Sequence, residues 1–166
     1  MAVSDTLPRL MNSALAFYRD LMATQTFFHR TRAHAPVERA WMKLQEPATW
    51  RRIGGVHRLD GERFNDEREL IGYDFAFVVG GQEYRGTASR AEVERGRRIA
   101  MSLWTSQMDG LITVDLEPDG ENTRVDLSLT MSSRGFLAAI FFSTIANAVG
   151  GGFEEAGEKF VNQLES

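Results

Sequence analysis

No cysteine occurs anywhere in the 166 residues. Disulfides, thiolate zinc sites and a cysteine nucleophile are therefore excluded. Lysine is scarce: among 19 basic residues only Lys43 and Lys159 are not arginine. So broad a bias reflects genome base composition, and no arginine earns a role on identity alone. Positive charge is not in excess. The net charge is -4, which argues against a dedicated nucleic-acid binder. Proline numbers 4, and no repeat, linker or low-complexity tract divides the chain. The remaining composition is ordinary: 43% hydrophobic and 25% charged residues. That composition excludes disorder, and the length suits one domain with its own core.

The N-terminus does not read as a secretory signal. Met1–Asp5 is polar and acidic, and Arg9, Arg19 and Asp20 interrupt the apolar residues after it. A cytoplasmic location is expected. Leu7, Leu10, Met11, Leu15, Tyr18, Leu21 and Met22 recur at helical spacing, predicting an amphipathic helix over 7–22. Residues 1–25 are read as a helical extension that docks on its own domain, with a homodimer contact as the alternative. Membrane contact is not favoured, because the polar face carries only Arg9 and Arg19.

A second apolar stretch, Gly135–Phe153, has no charge. Its length approaches the roughly 20 residues of a membrane span. Ser143, Thr144 and Asn147 interrupt it, and Gly150–Gly152 break helical propensity near its end. Amphipathic spacing then resumes at Phe153, Phe160, Val161 and Leu164. The spacing predicts a long buried helix with a glycine kink.

Between these helices the pattern is mostly β. Thr26–His34 alternates, with Phe27, His29, Thr31 and Ala33 on one face. Two short helices come next, Val37–Leu44 and a turn from Pro47 to Trp50. A strand is expected around Val56–Leu59. Strands then alternate from Arg68 to Ser132, with turns at Gly80-Gly81, Arg95-Gly96, Asp109-Gly110 and Pro118-Asp119-Gly120. The charged run Glu62–Glu69 is read as a solvated loop. One dry face and one wet face per strand mean an antiparallel sheet covered on one side.

Several motifs stand out in this order. Ala35-Pro36 comes directly after the first strand, with Ala40-Trp41, Pro47 and Trp50 beyond it. Tyr84-Arg85-Gly86 lies mid-sheet, Gly120 to Val125 holds a Gly-x-x-Thr-x-Val turn, and the last helix ends in Leu164-Glu165. Together they resemble the START-like helix-grip superfamily, also called SRPBCC, which includes polyketide cyclase/dehydrase-like and lipid-transfer proteins. The pattern departs at Ala40, where the family usually has a larger apolar group. The resemblance covers about residues 26–165. It implies an α+β helix-grip fold: a curved antiparallel sheet of about seven strands around a long C-terminal helix. Two short helices follow strand 1, and the N-terminal helix is extra.

The resemblance also implies an apolar cavity between sheet and helix. The expected ligand-binding residues are His29, Thr31, Tyr73, Phe75, Phe77, Tyr84, Met101, Leu103 and Ile112 from the sheet. From the helix they are Phe136, Ile140, Phe141 and Thr144. The expected partner is a hydrophobic small molecule such as a lipid, isoprenoid or polyketide-like compound. The alternatives are a polyketide cyclase/dehydrase-type enzyme and a membrane-associated accessory protein resembling the carbon monoxide dehydrogenase branch of the superfamily. No catalytic residue is assigned. His29 is the most chemically versatile candidate, and Tyr73 and Tyr84 could present hydroxyls to a ligand. No cofactor is expected. The only histidines are His29, His34 and His57. His29 and His34 differ in strand parity, so no metal site is expected.

Overall fold

The structure is a computed structural model that describes residues 8–13 and 23–166, with backbone only over 136–141. Residues 8–13 are helical and exposed. The rest of the helix expected over 7–22 lies outside the described residues.

Seven strands form one antiparallel sheet: β1 (Thr24–Ala33), β2 (Arg58–Phe64), β3 (Leu70–Val79), β4 (Gln82–Glu94), β5 (Arg98–Thr105), β6 (Met108–Asp119) and β7 (Asn122–Ser133). The order across the sheet is β1-β7-β6-β5-β4-β3-β2. Only β1 sits beside a strand distant in sequence; the rest meander. Two short helices, α1 (Val37–Lys43) and α2 (Pro47–Ile53), connect β1 to β2. The chain ends with α3 (Gly135–Gly150) and α4 (Phe153–Glu165). The core lies between the inner sheet face and these helices. Met101, Ile112, Leu127, Trp50, Phe160 and Leu164 are all fully buried there.

Two departures from expectation have local causes. The Asp109-Gly110 turn is absent; both residues belong to β6. The Thr105 hydroxyl instead accepts from the amides of Gln107 and Met108, at 3.1 and 2.9 Å, and turns the chain just before β6. Glu62 and Arg63 belong to β2, not to a loop. The Arg63 guanidinium crosses a register shift to the carbonyls of Tyr73 and Ala88, at 3.3 and 3.1 Å. The kink expected at Gly150–Gly152 is present: the C-terminal helix is broken at Gly151-Gly152 into α3 and α4.

The motifs of the resemblance converge at one end of the molecule. The Thr123 hydroxyl donates to the Ala35 carbonyl at 2.8 Å, fully buried. The His34 amide donates to Glu165 at 3.0 Å, and Arg39 donates to the Leu164 carbonyl at 2.9 Å. The chain after β1, the start of β7 and the end of α4 are thus tied by polar bonds. Trp50 ties the short helices in the same way, its indole N–H donating to the Leu44 carbonyl at 2.7 Å. Such bonds matter most when a deletion leaves a buried partner unsatisfied. Thr123→Val keeps the shape and orphans the Ala35 carbonyl. It is expected to lower unfolding free energy by about 1–3 kcal/mol; an unchanged urea midpoint would contradict this.

Candidate functional site

The inner face of β3 carries an aromatic row. Tyr73 meets Phe75 edge-on at 6.3 Å between ring centroids, and Phe75 lies parallel to Phe77 at the same spacing. Phe77 stacks on Tyr84 of β4 at 5.2 Å. Gly86 explains the adjacent Tyr-Arg-Gly motif. It pairs with Phe75 across the strands, and a Cβ there would collide with the Phe75 ring and the Trp104 carbonyl. Without a side chain at 86, the ring lies flat over the strand.

This row walls one side of an apolar cavity of about 520 Å³, counted out to its open mouth. Tyr73, Phe75 and Phe77 line it from β3, Leu103 and Ile112 from β5 and β6, and Val149 from α3. Gly54 and Val56, after α2, close another side. The lining suits the apolar part of a small organic ligand.

Polar groups in the wall are few. The Thr105 hydroxyl is occupied by its own turn, donating to the Met108 carbonyl at 3.1 Å. Asp109 pairs with Arg134 at 2.7 Å, whose guanidinium lies 5.2 Å over the exposed Trp104 ring. Tyr73 differs. It is 2% exposed, lines the cavity, and its hydroxyl has no hydrogen-bond partner among the described residues. Burial pushes its pKa up, so the hydroxyl keeps its proton.

Several expected site residues lie elsewhere. His29 and Thr31 point inward from β1 but do not line the cavity, because α4 covers them. Gly157 has no side chain, so α4 approaches until a Cβ there would press on His29 and Leu127. His29 Nε2 then lies 2.8 Å from Glu158 Oε1. Met101 is enclosed in the core, and Tyr84 stands beyond the lining, stacked on Phe77. Thr144 is exposed, a correction of its expected inward position. The inward face of α3 carries Phe142, Ile145, Ala146 and Val149. The polar residues Ser143, Thr144 and Asn147 share the outward face and mark it at helical spacing. The side chains of Phe136, Ile140 and Phe141 lie outside the described residues.

The wall also holds residues not expected there, namely Met108, Gly110 and Met131. Beginning β6 at Met108 puts Met108, Gly110 and Ile112 on one face. The misplaced turn at Asp109-Gly110 hid that alternation.

A family described as polyketide cyclase / dehydrase and lipid transport matches residues 24–165. The chain belongs to this family. No curated protein matches it in sequence. Solved structures share the fold of this polyketide cyclase / dehydrase and lipid transport domain at low identity. A Thermus thermophilus protein is 15% identical with a TM-score of 0.67, covering 84% of this chain and 97% of its own. The Zhui aromatase/cyclase of a Streptomyces species is 13% identical with a TM-score of 0.65, covering 86% and 94%. Norcoclaurine synthase from Thalictrum flavum, in complex with dopamine and hydroxybenzaldehyde, is 14% identical with a TM-score of 0.57, covering 87% and 87%. Identity this low establishes a shared helix-grip architecture, and function has to be argued from this chain's own residues.

His29, Thr31 and Glu158 have a measurable signature. The Thr31 hydroxyl first and the His29 ring second hold the Glu158 carboxyl below its ordinary value. A depressed folded pKa stabilises fully above the unfolded pKa, and that stabilisation is lost as pH falls through the folded value. Wild-type urea midpoints should therefore fall more steeply than those of Glu158→Gln between about pH 5 and pH 3. Parallel profiles would show that the carboxylate gains nothing from these partners.

Proposed function

We propose that this domain binds a small apolar or aromatic molecule in the cavity beneath β3. The molecule carries a group that accepts a hydrogen bond from Tyr73. Storage, transport or sensing of a lipid, isoprenoid or polyketide-like compound fits such a site. The observation that carries this reading is the Tyr73 hydroxyl, without a partner among the described residues, on a buried side chain in a mostly apolar wall. A hydroxyl with no protein partner is free to donate to a bound ligand. Phe75, Phe77, Leu103 and Ile112 would supply the apolar contacts. Family membership and the relative solved with dopamine and hydroxybenzaldehyde support a small-molecule role.

His29, Thr31 and Met101 take no part in this reading. Among the described residues, no helix is long and apolar enough to cross a membrane.

The test compares 1-naphthol with naphthalene by calorimetry or quenching of protein fluorescence. Tyr73→Phe should weaken 1-naphthol about fivefold, the worth of one hydrogen bond, and leave naphthalene unchanged. Leu103→Trp should fill the cavity and weaken both. Equal 1-naphthol binding by wild type and Tyr73→Phe would remove the role given to Tyr73. No binding of either compound would remove the cavity reading.

A further inference from the structure

Two further voids adjoin the cavity. A second void of about 460 Å³ shares Phe77 and Val149 with it. A third, a groove of about 880 Å³ counted to open solvent, shares Gly55 and Gly152 with the second and Val56 with the cavity. Their shared walls place the three voids side by side, from Tyr73 past the break at Gly151-Gly152 to the surface between α2 and α4.

The outer groove differs in character from the cavity. Arg51, Arg52 and Lys159 line it, with Glu155 the one carboxylate in its wall. Lys159 pairs with Glu155 at 2.7 Å. One Arg51 N–H donates to the His57 carbonyl at 3.0 Å, which leaves its charge uncompensated. Arg52 has no carboxylate partner among the described residues and is exposed. Most other arginines in β2 to β7 are paired: Arg58, Arg63, Arg85, Arg95, Arg97, Arg98 and Arg124 each meet an acidic side chain. In a protein of net charge -4, an excess of positive charge in a groove beside an apolar cavity is a local departure. Ala48, Val56 and Ala156 floor the groove with apolar surface between these cations.

We propose that the ligand is an amphiphile with an acidic end, its apolar body in the cavity and its carboxylate or phosphate at Arg51, Arg52 and Lys159. The inference rests on the cavity reading above. Arginine forks suit either anion, because both offer paired oxygens to parallel N–H donors. An incoming anion would also compete with Glu155 for Lys159. The groove is open to solvent, so the charge preference is modest and sensitive to salt. The apolar body supplies affinity and the groove supplies direction.

The test uses the full chain at pH 8 and low ionic strength, titrated with decanoate, decyl phosphate and 1-decanol. Wild type should bind at least one anion about threefold to tenfold more tightly than the alcohol. The Arg52→Gln, Lys159→Gln double variant should lose that gap and keep its 1-decanol affinity. Raising salt to about 0.5 M should narrow the gap in wild type alone. A preference for decanoate alone identifies a carboxylate ligand; a preference for decyl phosphate alone identifies a phosphate. Equal binding of alcohol and both anions by wild type, or a gap that survives in the variant, overturns the acidic end and leaves the cavity reading standing. Binding of none of the three overturns both.

Discussion

Seven strands spaced about 4.8 Å apart span roughly 30 Å, whereas one helix with its side chains covers about 10 Å. A sheet dry on one face and served by so narrow a cover must curl, or fill the remainder with large side chains, or leave a void. This chain does all three. The α4 helix lies on β1, where Gly157 lets it close down on Leu127 and His29. The far side of the sheet is filled from β3 by Tyr73, Phe75 and Phe77. Between those two solutions the cavity remains. Its position follows from where the helix can and cannot reach.

The same constraint explains why the C-terminal helix breaks. The α3 helix packs on β7 beside the cavity, and α4 turns toward β1, α1 and α2. A straight helix could not serve both directions. Gly151 and Gly152 carry the change between Gly150 and Phe153. The polar ties at the other end are then needed to hold the second helix in place. Arg39 on the Leu164 carbonyl and His34 on Glu165 fasten α4 where the break gives it freedom.

The sheet was legible in the sequence because period two survives wherever one face is wet. Ile112, Val114 and Leu116 against Thr113, Asp115 and Glu117 needed no further information. The family motifs were legible for a related reason. Two of them hold a group that is buried and bonded, Thr123 on Ala35 and Trp50 on Leu44. The site was only half legible. Tyr73, Phe75, Phe77, Leu103 and Ile112 line the cavity as expected from strand parity. Parity cannot say how far along a strand the helix covers, so His29 and Thr31 were assigned to a space that α4 fills. On α3 apolar residues surround most of the helix, and the small polar set that marks its outer face is easily outweighed. The Asp-Gly pair in β6 misled because its local turn preference lost to a hydroxyl-capped turn just before it.

Whether such a cavity holds a molecule or transforms it depends on proton chemistry. General acid–base catalysis works best with groups whose pKa lies near the working pH. Burial moves the Tyr73 hydroxyl the other way, up and away from neutrality. The group can donate a hydrogen bond and is poorly suited to give up a proton. The Asp109 carboxylate is held by Arg134, and the Thr105 hydroxyl is committed to its own turn. His29, the side chain best suited to proton transfer near neutral pH, is shut beneath α4 beside Glu158. Among the described residues, the groups able to move protons therefore stand outside the cavity or are engaged elsewhere. The one left free inside it is suited to orienting a ligand, which is why binding is the stronger reading of this domain.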